Sequence, residues 1–202
     1  MISYNGIVEL CGHKGTGKSN IAMQESKNYK TLYLCSNVFP ISRYFKIVDK
    51  STYYKDEMKD RFFIKIIHEF VFLKFLIDYQ LEVAIVDLEV ELLVIDALDH
   101  LLYTEVGNKT IYSEIFEMIT KLKELQYKYN LKVLIINCWY ESGNIDGIRV
   151  GNRLLGISWS YLINTRILVE KKGCLKVVMS PVEIDNKIIE FEITENGIKY
   201  NI

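Results

Sequence analysis

Eight residues near the start of the chain carry its clearest chemistry. Gly12-His13-Lys14-Gly15-Thr16-Gly17-Lys18-Ser19 sets two glycines around four residues and follows them with Lys and Ser. That is the spacing of a loop that wraps phosphate. The glycines let the backbone turn tightly, so that successive N–H groups point inward as an anion nest. Lys18 then supplies a point charge for the β- and γ-phosphates, and the Ser19 hydroxyl is a ligand for Mg²⁺. ATP and Mg²⁺ are the expected cofactors, with Gly12, His13, Lys14, Gly15, Thr16, Gly17, Lys18 and Ser19 as the binding residues. A glycine-rich turn without function is the plain alternative.

Such a loop needs an acid at the end of a neighbouring strand to hold the metal or its waters. Leu92-Leu93-Val94-Ile95 runs directly into Asp96, which makes Asp96 the expected metal residue beside Ser19. A helix cap is the plainer reading of Asp96. Asp87 reads as a polar break on the preceding helix. Hydrolysis also needs a group that orients or deprotonates water. The strand over residues 32–35 should deliver it, yet Ser36-Asn37 follows, and an amide cannot take a proton. The strand over 131–137 ends in Asn137-Cys138, and a thiol is a poor sensor of the γ-phosphate. No catalytic residue is assigned, and hydrolysis should be slow or absent.

Weaker signals lie elsewhere. Lys14 fits a phosphate contact and a solvated lysine equally. Arg149, Arg153 and Arg166 are close enough in sequence for a basic patch, with Arg149 and Arg153 as candidate contacts to DNA; solvated loop arginines fit the same pattern. Trp139-Tyr140 suits base stacking, but a pair of aromatics capping a sheet edge is more common. His13, His68 and His100 are isolated and read as structural.

Elements must position these groups. The apolar run over 7–11 is a strand feeding the loop, and Ser19-Asn20-Ile21-Ala22-Met23 opens a helix whose N-terminus favours negative charge. Strands are expected over 32–35, 62–67, 92–96 and 131–137, with a turn and short helix after Pro40. Residues 69–91 are ambiguous; Val71, Phe72, Phe75, Leu76, Tyr79 and Val83 fall at helical spacing and favour a long buried helix. A loop over 107–109 precedes a helix over 111–129, with Glu117 and Lys121 placed for an i,i+4 pair. Residues 139–153 read as a glycine-containing polar loop and 154–160 as a short helix. Strands over 161–169, 175–179 and 188–193, with turns at 171–173 and Asn196-Gly197, close the chain. The fold class is α/β: a mostly parallel sheet flanked by helices, with an antiparallel extension at the C-terminal end.

With 202 residues, half of them hydrophobic and a quarter charged, the chain suits one soluble domain over 1–202. A net charge of −1 excludes global attraction to nucleic acid and leaves only local patches or partners. Cys11, Cys35, Cys138 and Cys174 show no metal spacing and read as buried thiols of an intracellular protein. The most apolar long stretch is broken by Lys74, Asp78 and Glu82, which argues against a membrane span.

The loop at 12–19, the strand at 92–96 and the strand at 131–137 resemble RecA-type recombinases in order and spacing. Asn152-Arg153-Leu154-Leu155-Gly156-Ile157-Ser158-Trp159, followed by Asn164-Thr165-Arg166-Ile167-Leu168-Val169, is similar to a signature of the eukaryotic recombinase paralogues, the mediator branch. Tyr33-Leu34-Cys35-Ser36-Asn37-Val38-Phe39-Pro40 with Arg43, Ser180-Pro181, and Ile193-Thr194-Glu195-Asn196-Gly197-Ile198 also resemble that branch. The resemblance implies a RecA-like phosphate-loop NTPase core acting in homologous-recombination DNA repair, in the nucleus, beside a recombinase or paralogue subunit. It implies that Gly143 to Arg149 and Glu105 to Thr110 match the two DNA-binding loops, both shortened. The family's catalytic Glu falls at Asn37 and its sensing Gln at Cys138. Against the family, an N-terminal helical domain and a polymerisation linker are not expected, and the helix after the phosphate loop is expected to be short. Capping or pairing with another subunit is therefore expected, and long filaments of the chain alone are not.

Two other classes share the loop. A small nucleotide or nucleoside kinase would need arginines to clamp two nucleotides and close a lid, and this chain has only five arginines. A stand-alone ATPase would need the carboxylate that is missing after residue 35.

Overall fold

The computed structural model describes residues 2, 4–48, 60–103, 105, 110–138, 141–145, 148–151, 159, 161–171, 173–179 and 188–201. Strand β1 (Ile7–Gly12) is buried along its whole length, and the sheet extends from it in both directions. On one side lie β5 (Lys132–Cys138), β4 (Leu92–Asp96), β2 (Thr31–Cys35) and β3 (Phe62–Ile66), all parallel. On the other side β8 (Thr165–Glu170) is parallel to β1, and β9 (Cys174–Met179), β10 (Ile188–Thr194) and β11 (Gly197–Asn201) continue antiparallel. The nine strands run in the order β11-β10-β9-β8-β1-β5-β4-β2-β3. The expected parallel core with an antiparallel extension is what forms.

Helices cover both faces, which is why the central strands read as continuous apolar runs. Helices α1 (Lys18–Glu25) and α2 (Ile41–Val48) pack on one face against Val8, Leu10, Tyr33, Val94 and Ile136. The other face takes α3 (Phe70–Phe75), a π-helical segment (Leu76–Gln80), α4 (Leu81–Asp87), α5 (Leu98–Tyr103) and α6 (Ile111–Tyr129), against Ile7, Leu93, Ile95, Val133 and Ile135. The period of two along a strand decides which side chain meets which layer. Asp96 therefore shares the α1 face with Val94, while Glu9 and Asn137 share the opposite face with Ile7 and Ile135.

Five local expectations change. The long helix over 70–87 forms, but it buries Phe70, Leu73, Leu76, Ile77, Leu81 and Ile85. Of the stripe expected inside, only Leu76 is buried; Val71, Tyr79 and Val83 are 61%, 70% and 58% exposed. Both faces of this helix are apolar and the π-helical turn shifts its phase, so spacing alone could not choose between them. Glu117 and Lys121 bridge to the neighbouring helix, to Lys74 at 3.2 Å and to Glu82 at 3.6 Å.

The polar loop over 139–153 contains a hairpin, β6 (Glu141–Ile145) with β7 (Ile148–Gly151), and Ile145 opposes Ile148. The dipeptide Asp146-Gly147 between these strands in the sequence is a hairpin signal. The strand expected from 161 begins only at Thr165, because Tyr161 and Leu162 are helical. Most of the helix expected over 154–160 lies outside the described residues, though Trp159 is helical. Of the four thiols, Cys11 and Cys35 are buried and Cys138 and Cys174 half-buried. Among the described residues, no helix is long and apolar enough to cross a membrane.

Candidate nucleotide site

The loop joins the end of β1 to the start of α1, and its first glycine is fixed by crowding. A Cβ added to Gly12 would lie 2.3 Å from the Val169 carbonyl oxygen on β8. Gly17 stands at φ +98°, a left-handed conformation that only glycine adopts without cost, and its carbonyl accepts from the Ile21 N–H at 3.0 Å to start α1. Thr16 Oγ1 donates to the His13 carbonyl at 3.0 Å and closes the loop on itself. Lys18 Nζ donates to the Gly12 and His13 carbonyls at 2.7 and 2.8 Å, so the ammonium sits at the centre of the loop. Burial pushes its pKa down, and the nearby Cys138, Asp99 and Asp96 act against that shift.

Ser19 follows on the first turn of α1, and Asp96 ends β4 on the same side of the sheet. The two face each other across one cavity, and the Ser19 hydroxyl is near enough to the Asp96 carboxylate to favour its charged form. Tyr33, fully buried on β2, donates its hydroxyl to Asp96 Oδ2 at 2.6 Å. Burial raises the Asp96 pKa, and the Tyr33 hydrogen bond, the nearby Ser19 hydroxyl and the charge of Lys18 counter it. The sequence marked Tyr33 only as part of the segment over 33–40, and nothing there pointed to a bond with Asp96.

Lys14, Lys18, Ser19, Asn37, Asp96 and Cys138 line one cavity of about 320 Å³ at the C-terminal ends of β2, β4 and β5. Ligands of open α/β sheets bind at that edge. His13 and Lys14 are exposed at the mouth of the loop. Among the described residues, no cluster of three or more His, Cys, Asp or Glu could hold a metal by itself. A hydroxyl and one carboxylate still suit Mg²⁺, which completes its shell with phosphate oxygens and water. The loop, the ammonium and this pair fit ATP with Mg²⁺.

Behind the cavity lies a buried polar network that sequence reasoning missed. Glu9 is 1% exposed in the middle of β1. Its Oε1 accepts from Asn137 Nδ2 at 2.7 Å and from Trp159 Nε1 at 2.8 Å, and its Oε2 accepts from Arg166 Nε at 2.5 Å. The Asn137 amide oxygen in turn accepts the backbone N–H of Asp99 at 3.0 Å. This corrects the reading of Arg166 as part of a basic patch: it is 8% exposed and neutralises Glu9. A charge inside the apolar run over 7–11 was the available signal, but its partner lies on a distant strand. Arg149 falls on β7 opposite Asn144, whereas Trp139, Tyr140 and Arg153 lie outside the described residues.

No family model and no curated protein matches the chain. Among solved structures, the crystal structure of the RadB recombinase is similar, with a TM-score of 0.78 at 20% sequence identity. The match covers 95% of this chain and 89% of that one. The likeness is one of fold, and the chain has a RecA-like fold.

Proposed function

We propose that this chain, as a single unit over 1–202, is an ATP-binding recombinase paralogue acting in homologous-recombination DNA repair. Its role is that of a subunit or mediator beside a strand-exchange protein. The observation that carries the reading is the meeting of Ser19 and Asp96 beside Lys18 in one cavity of a RecA-like sheet. When bound, Mg²⁺ neutralises phosphate charge there; Lys18 would hold the β- and γ-phosphates, and Ser19 and Asp96 would hold the ion. Hydrolysis is weak, because Asn37 and Cys138 stand where a base and a phosphate sensor are expected. DNA contact, with Arg149 and Arg153 as candidates, is weak or made through the complex, in keeping with the net charge of −1. Placement in the eukaryotic paralogue branch, and in the nucleus, rests on the segment from Asn152 to Val169.

Binding of ATP, AMP and single-stranded DNA, each with and without a recombinase partner, tests the reading. Saturable Mg²⁺-dependent ATP binding, weak AMP binding and DNA retention only with the partner are expected. Tight AMP binding with phosphoryl transfer from ATP would overturn it in favour of a kinase. Long filaments of this chain alone on DNA would overturn the subunit role.

A further inference from the structure

We propose that Asp99 is the residue that accepts a proton from the attacking water when this chain hydrolyses ATP. The inference rests on the nucleotide-binding reading above. Asp99 stands on the first turn of α5 and lines the same cavity as Lys18 and Asn37. It is 3% exposed, and its Oδ1 has no hydrogen-bond partner. The carboxylate is anchored by the end of β5, through hydrogen bonds from the backbone and side chain of Cys138. Its own N–H is held by Asn137 Oδ1 at 3.0 Å. The group is thus fixed from two sides, with one oxygen left over.

A buried acceptor without a donor costs roughly 1–3 kcal/mol. The position in the first turn of α5 favours a negative side chain, but it does not require an oxygen without a donor. Such uncompensated polar groups are found where function requires them. Burial raises the Asp99 pKa, and the hydrogen bonds from Cys138 and the nearby charge of Lys18 counter it, so a basic carboxylate stands beside the ammonium proposed to draw in phosphate.

The step balances as follows. The water oxygen bonds to the γ-phosphorus while the bond from phosphorus to the β,γ-bridging oxygen breaks. That electron pair leaves with ADP, the water proton passes to Asp99 Oδ1, and Asp99 later releases it to solvent. Asn37 can hold the water by its amide, which leaves proton acceptance to Asp99.

The test compares the wild type with Asp99→Asn and Asp99→Ser in three readouts: phosphate release at saturating Mg²⁺ and ATP, affinity for a non-hydrolysable ATP analogue, and thermal unfolding. Turnover should fall about 10²-fold or more while analogue affinity stays within about threefold. The Tm of Asp99→Asn should hold, because its amide oxygen can keep the Cys138 contacts. Unchanged turnover in both variants would overturn the proposal, as would a joint loss of stability and analogue binding, which marks a structural post. A wild type that binds the analogue but releases no phosphate overturns this proposal and leaves the nucleotide reading standing. A wild type that binds no analogue overturns both.

Discussion

The Tyr33 hydroxyl donates to Asp96 Oδ2 at 2.6 Å, so the acid at the end of β4 is held by its neighbouring strand. Burial, with Asp96 beside it, keeps the Tyr33 phenol protonated far above neutral pH, so it remains a donor throughout the working range. In the proposed site the carboxylate would thereby be aimed before a cation arrives, so that it need not reorganise on binding.

Tyr33→Phe should loosen that aim. A hydrogen bond to a charged group contributes about 1.5–3 kcal/mol, and at this chain length each kcal/mol shifts Tm by about 2–4 °C. The expected result is a Tm lowered by several degrees and a higher Mg²⁺ requirement for ATP binding. Thermal unfolding and a Mg²⁺ titration at fixed ATP measure the two effects.

The Glu9–Arg166 pair should behave as a buried unit. Removing one partner strands the other charge, so Glu9→Leu alone should destabilise the fold by about 3–5 kcal/mol in urea unfolding. Adding Arg166→Met should recover much of that loss, because the pair is expensive to bury and apolar replacements avoid the desolvation. Equal destabilisation by the single and double variants would show that the side chains do not act on each other.

Glu25 sets a pH dependence with a definite sign. It is 3% exposed on α1 with Oε2 unpartnered, and burial raises its pKa above 4.5. The folded chain then binds this proton more tightly than the unfolded chain does. The group is a burden at neutral pH, and the burden lifts as pH falls through the raised value. It is gone below the unfolded value, about 4.3. Glu25→Gln should therefore be the more stable protein at pH 7, with the difference shrinking toward about pH 4. Chemical denaturation across that range checks it.

What was legible in the sequence was what depends on close spacing. The glycine-rich loop over 12–19, the strand before it, the helix after it and Asp96 at a strand end are all local patterns, and the structure gathers them at one edge of the sheet. Glu9 and Arg166 are 157 residues apart, and only the pairing of β1 with β8 brings them together. Asp99 is three positions beyond Asp96, yet one turn of α5 had to form before it could reach the end of β5. On the helix over 70–87 the apolar spacing was real, but two faces satisfied it, and contact with the sheet made the choice. Tyr33 shows the same limit: strand alternation gives its face, and only the register with β4 gives its partner.

The central claim is that this loop holds a nucleoside triphosphate through Lys18. Equilibrium binding of ATP with Mg²⁺ to the wild type and to Lys18→Ala tests it most directly. Removing the charge-assisted contact should cost about 1.5–3 kcal/mol, a rise in Kd of roughly ten- to a hundredfold. Wild-type protein that binds no ATP, or a Lys18→Ala variant that binds it equally well, would contradict the account.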